Sequence, residues 1–143
     1  MTMFRAYVAV YLILRRNNEV LLLQRKNTGF DDGKWSLPAD HVEENESAMT
    51  AMIREANEEI GITLLPSDLS LVYTLHRKSG ERVYIDFWFE ADSSNHLPLN
   101  KEPHKCQQLS WSLITNLPEL TQNFVKQVLT EYPLKNYGSI GIE

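Results

Sequence analysis

The chain has 143 residues, 43% of them hydrophobic, with three Trp, six Tyr and five Phe, which is material for one core and a single domain over 1–143. Fourteen Lys and Arg against nineteen Asp and Glu give a net charge of −5, which excludes a global basic field that would draw the protein to nucleic acid or an anionic membrane. The single cysteine, Cys106, excludes an internal disulfide framework and suits a reducing compartment, with the residue expected to serve as a small buried hydrophobe.

Residues 6–14 are apolar, but no basic region precedes them and no small-residue cleavage site follows, and the run is too short to span a bilayer. A buried strand and a cytoplasmic protein are therefore expected. Phe4 to Leu14 and Glu19 to Gln24, separated by two arginines and two asparagines, predict a hairpin of two core strands. Residues 26–34 concentrate Gly, Asp and Asn without a period and read as a loop, after which Trp35 to Leu37 is a short extended piece that Pro38 keeps out of a helix.

A helix is predicted over about Glu46 to Ile60, with Gly61 as its stop. Leu69 to His76 and Arg82 to Ala91 follow as strands joined through 78–81, and the second is apolar enough to be central. Ser93 to Cys106 is a long polar loop, and such loops in compact domains are functional or disordered. Gln108 to Trp111 is a further strand and Thr121 to Glu131 a second amphipathic helix. The tail from about Lys135 is expected to be loosely ordered.

On the first helix, at ~100° per residue, Glu59 lies about 40° to one side of Glu55 and Glu58 about 60° to the other, so three carboxylates share a face. Met49, Met52, Ile53, Ala56 and Ile60 form the neighbouring core stripe. Like charges at four-residue spacing repel by a few tenths of a kcal/mol, on the order of one weak contact. A hard divalent cation such as magnesium, or manganese in its place, offsets that repulsion through oxygen ligands, whereas a solvated acidic helix face needs no ligand.

The flanking residues decide between these two. Arg54, Glu55, Glu58, Glu59 and Gly61 fit the second half of the Nudix signature, Glu46 stands eight residues before Arg54, and Leu37-Pro38 with His41-Val42-Glu43 precede it. The chain resembles a MutT-like Nudix hydrolase, with the signature over 40–62 and a plausible strand order around it. The resemblance implies an α/β fold, an α/β/α sandwich whose mixed central sheet is flanked by the signature helix and a C-terminal helix. It also implies magnesium-dependent hydrolysis of the pyrophosphate linkage of a nucleoside diphosphate joined to another group, here a nucleoside triphosphate or a modified nucleotide. Glu55, Glu58 and Glu59, with the Ala39 carbonyl, are implied as metal ligands; Arg54 is implied to hold a glutamate in place and Glu46 to support the loop. The expected partner is a small nucleotide, and proteins of this kind are often homodimers.

Three glycines of the usual pattern are replaced, by Ala39, Asp40 and Asn45. Asn tolerates positive φ, so position 45 is a mild change. Asp40 either adds a carboxylate near the metal or displaces the loop, and the second outcome would leave a non-catalytic nucleotide-binding module. The intact set of helix glutamates favours hydrolysis. Glu102, in the long loop, is the candidate general base, with Glu58 the alternative and His104 a weaker one. Arg25 is a candidate phosphate contact, and Tyr84, Asp86 and Trp88 alternate onto one face of a strand where an acid between two rings can read a base edge.

Overall fold

In a computed structural model that describes residues 2–142, eight strands and two helices follow in the order β1 (Tyr7–Arg16), β2 (Glu19–Arg25), β3 (Trp35–Ser36), β4 (Ala39–His41), α1 (Ala48–Ile60), β5 (Ser70–Ser79), β6 (Arg82–Asp92), β7 (Cys106–Leu113), α2 (Asn123–Glu131) and β8 (Tyr137–Ile140). The strands form one mixed sheet in the order β3-β2-β1-β6-β5-β8, with β4 also on β1 and β7 also on β2. β6 lies between β1 and β5, parallel to the first and antiparallel to the second, as its apolar sequence predicts.

Each strand's side chains alternate between two faces, and each face is covered by one helix. Val10, Leu12 and Leu14 of β1 join Ala51, Met52, Ala56 and Ile60 of α1 in one buried cluster. Tyr11 and Ile13 pack with Trp88 of β6 and with Val125, Val128 and Leu129 of α2 in the other. The α/β/α sandwich therefore follows from period two in the strands meeting period 3.6 in the helices.

Two features differ from expectation. The β1–β2 hairpin pairs only next to its turn, Arg15 with Val20 and Arg16 with Glu19, because β4 takes the edge of β1 at Ala9, Val10 and Tyr11. β4 is short and carries Asp40 and His41, so neither its length nor its composition marks it as a strand. The tail expected to be loose instead forms β8, parallel to β5, with Gly138 so tight against Tyr73 that a Cβ would sit 2.0 Å from its hydroxyl.

Candidate active site

Helix α1 is delimited by its own sequence. Ser47 caps it by accepting from the Thr50 amide at 3.0 Å, and Gly61 closes it at φ 69°, its amide donating to Asn57 O. The helix thus starts two residues later than the spacing predicts, because Glu46 turns its carboxylate back onto the Glu43 amide at 2.8 Å. Glu46 is also gripped by Arg54, Nε on Oε2 at 3.1 Å and Nη2 on Oε1 at 2.7 Å. From there Arg54 reaches the Glu55 carboxylate, Glu58 at 3.3 Å and the His41 carbonyl at 3.4 Å. One guanidinium ties the approach loop, the end of β4 and two helix carboxylates together.

Strand β4 faces α1 across this network. Leu12 N donates to Pro38 O and Val42 N to Val8 O, so Ala39 occupies the intervening position whose own N–H and C=O point away from β1. The Ala39 amide donates to Glu59 Oε1 at 2.9 Å, and its carbonyl leaves the same edge. Asp40 sits in the ladder opposite Val10 and its backbone is not in the left-handed region, so replacing the usual glycine costs no strain there. Asn45 does take positive φ, 68°, as an asparagine tolerates.

The long loop closes the other side. Leu99 N and Lys101 N donate to Ile60 O and Glu59 O at the end of α1, and Asn100 bridges the loop from the Glu102 amide to Cys106 O. These bonds set Glu102 against the helix glutamates. Asp40, Glu55, Glu58, Glu59 and Glu102, with Arg25 and Lys105, line a cavity of about 420 Å³. Cys106 closes its floor as a buried thiol, while His104 is exposed at the loop surface outside that lining.

The crowding has an electrostatic signature. Glu55 is 3% exposed, and burial, followed by the Asp40 and Glu59 carboxylates, raises its proton affinity far above the carboxylate range. Burial, with the charges of Glu102 and Asp40, raises Glu59 to about 8 against the Glu55 and Ala39 hydrogen bonds that lower it. Arg54 alone does not neutralise this nest. The donors are all hard oxygens, so they fit a divalent cation of the magnesium or manganese type. They are not a finished shell, for among the described residues no three His, Cys, Asp or Glu side chains converge on one point. Glu55 and Glu58 face Arg54 instead.

A second cavity of about 700 Å³ adjoins the first, sharing Arg25, Thr28, Ala39 and Asp40 with it. Arg25 stands at the junction, held by Phe30 O at 2.8 Å and Thr28 Oγ1 at 3.0 Å. Tyr84 lines this cavity, but Asp86 and Trp88 do not. Both are fully buried. Trp88 stacks on Tyr11 at 4.3 Å, and Asp86 takes Arg77 Nε at 2.5 Å, so neither the base-reading acid nor the second stacking ring expected on this strand reaches the open space. Arg77 reaches it instead, opposite Tyr84 on β5. A buried Asp inside an apolar strand requires a cation, which is the signal that points to Arg77 from sequence. Gln122 also lines the cavity and carries no such signal.

The family model described as NUDIX domain matches residues 3–132. An uncharacterized Nudix hydrolase, YvcI, of Bacillus subtilis (strain 168) is 33% identical over 74% of this chain and 67% of its own length. An 8-oxo-dGTP diphosphatase of Proteus vulgaris is 28% identical over 68% of this chain and 86% of its own. Among solved structures, a MutT NUDIX hydrolase from Burkholderia pseudomallei superposes with a TM-score of 0.80 at 23% identity, covering 90% of this chain and 98% of that one.

Proposed function

Since the chain belongs to the NUDIX domain family and is a pyrophosphohydrolase of that family, we propose that it hydrolyses, with magnesium or manganese, the pyrophosphate linkage of a nucleoside triphosphate or modified nucleotide. The observation that carries this reading is the pair of joined cavities, one lined by five carboxylates and the other by aromatic rings and Arg77, with Arg25 between them. A nucleotide is polar and anionic at one end and flat and apolar at the other, and the two spaces divide along the same line.

Glu55, Glu58 and Glu59, with the Ala39 carbonyl, are the proposed metal ligands, and Asp40 adds a further oxygen beside them. When bound, the metal neutralises charge on the phosphate oxygens and makes a coordinated water more acidic. Arg25 binds a phosphate oxygen at the junction of the two cavities. Glu102 takes the proton of the attacking water, a task that requires a carboxylate facing the phosphates from outside the helix. Arg54 positions Glu55 and Glu58, and Glu46 fixes Arg54. A retained helix–loop network and an unstrained Asp40 support hydrolysis over a module that only binds nucleotide.

Glu58 is half exposed and, among the described residues, its one side-chain partner is Arg54, so Glu58→Gln should leave the fold intact while lowering kcat by about 10²-fold or more. Steady-state kinetics together with a thermal melt measure both. Unchanged turnover in a folded Glu58→Gln protein would remove α1 from the chemistry.

A further inference from the structure

Among the groups proposed to touch metal, water or phosphate, Glu102 alone is carried by neither a helix nor a strand. It lies in the loop between the end of β6 at Asp92 and the start of β7 at Cys106. A base must come within hydrogen-bond reach of the water it deprotonates, so a loop that carries one has to be held as firmly as a helix or strand.

Most of the anchors of this loop are backbone groups. Leu99 N and Lys101 N donate to Ile60 O and Glu59 O at 2.9 and 3.1 Å, which satisfies carbonyls that the end of α1 leaves open. Just beyond β2, Lys26 N donates to Lys105 O at 3.0 Å and Asn27 Nδ2 to His104 O at 3.3 Å. These bonds hold the segment on either side of Glu102. Between them the chain makes a single turn, in which Lys105 N and Cys106 N both donate to Glu102 O at 2.9 Å.

Asn100 staples that turn at both ends. Its Oδ1 accepts from the Glu102 amide at 3.1 Å, and its Nδ2 donates to Cys106 O at 2.8 Å. One neighbour is an N–H and the other a carbonyl, so the side-chain amide has a single orientation that satisfies both. The first bond is the local type by which asparagine fixes the backbone two residues on. The Glu102 carboxylate lines the cavity with Asp40, Glu55, Glu58 and Glu59, and among the described residues no hydrogen bond holds it there. Its direction is therefore set by its backbone, which Asn100 fixes. Asn100 itself lines neither cavity.

We infer that Asn100 is a positioning residue for the reaction, aiming the Glu102 carboxylate at the attacking water without touching substrate or metal. This rests on the proposed role of Glu102 as the base. Glu59 then serves twice, its side chain held by the Ala39 amide beside the metal site and its carbonyl anchoring the loop that carries Glu102.

The test is a double-mutant cycle on steady-state hydrolysis of nucleoside triphosphates with magnesium. Glu102→Gln should lower kcat about 10²- to 10⁴-fold. Asn100→Ala should lower it about 10- to 100-fold with KM changed less than about two-fold, because a misaimed base slows the chemical step and leaves binding alone. The protein carrying both substitutions should be no slower than Glu102→Gln alone, since a group that acts only by aiming the base adds nothing once the base is gone. Thermal melts identify a variant that fails to fold, and Asn100→Asp, which keeps an acceptor for the Glu102 amide, then carries the same cycle. Losses that add in the double variant, or a loss confined to KM, would overturn the inference. So would wild-type kcat in Asn100→Ala beside a slow Glu102→Gln. Wild-type kcat in Glu102→Gln would remove Glu102 as the base and this inference with it.

Discussion

Asp40 is where a single residue departs most from the pattern the chain otherwise follows. Its carboxylate accepts from the His41 amide at 2.7 Å and adds to the charge around Glu55. Asp40→Asn keeps an acceptor for that amide and removes the charge, so it should raise the thermal midpoint of the metal-free protein by a few degrees at pH 8 and have little effect at pH 5, where Glu55 and Glu59 are largely protonated. Differential scanning fluorimetry at the two pH values measures it, and an equal shift at both would mean the charge is not the cause. At this scale the sequence was informative where chemistry demands fixed spacing. Arg54, Glu46 and the three glutamates can be read from helical geometry and the signature. Gln122 cannot, because its place depends on Asp31, far away in the chain, and Arg77 is signalled only indirectly, through the need of Asp86 for a cation on the neighbouring strand. Asp86 and Trp88 were placed on the correct face but at the wrong depth, since alternation gives the side of a strand and not what covers it.

Among the elements, the long ones were legible and the short ones were not. α1, α2, β5 and β6 carry enough periods to declare themselves, and only their ends shift. β4 and β8, three and four residues long, exist because a neighbour offers an edge, β1 in one case and β5 in the other. β4 belongs to the proposed site, since it turns the edge of Ala39 toward Glu59. β8 tests the same idea through stability. Gly138→Ala places a methyl against the Tyr73 hydroxyl, which is held by Glu131 at 2.5 Å, and should cost about 1–3 kcal/mol in urea denaturation. A neutral substitution would mean that the tail is not packed as a strand.

In the molecule as a whole, the acidic nest couples folding to pH and, on the proposed reading, to metal. Burial raises Glu55 and Glu59 above their ordinary value near 4.5, so the folded metal-free state binds more protons than the unfolded chain above that value. Stability from these groups is therefore fully present in acid and is lost as pH rises from about 4.5 through about 8, the value to which Glu59 is raised. The metal-free protein should melt at falling temperature across that window, and millimolar magnesium should restore the loss, because a cation replaces the protons. Thermal melts with EDTA and with magnesium test this; a melting temperature that does not change across the window would show that the carboxylates are not crowded in solution. Among the described residues no helix is long and apolar enough to cross a membrane. On the proposed reading the carboxylate nest and the adjoining aromatic cavity together cleave a nucleotide. The measurement that tests it most directly is phosphate or pyrophosphate release by the wild-type protein from a panel of nucleoside triphosphates and nucleotide sugars, with and without magnesium. Metal-dependent release from at least one nucleotide is expected, and no turnover of any of them, with measurable nucleotide binding, would contradict cleavage at this site.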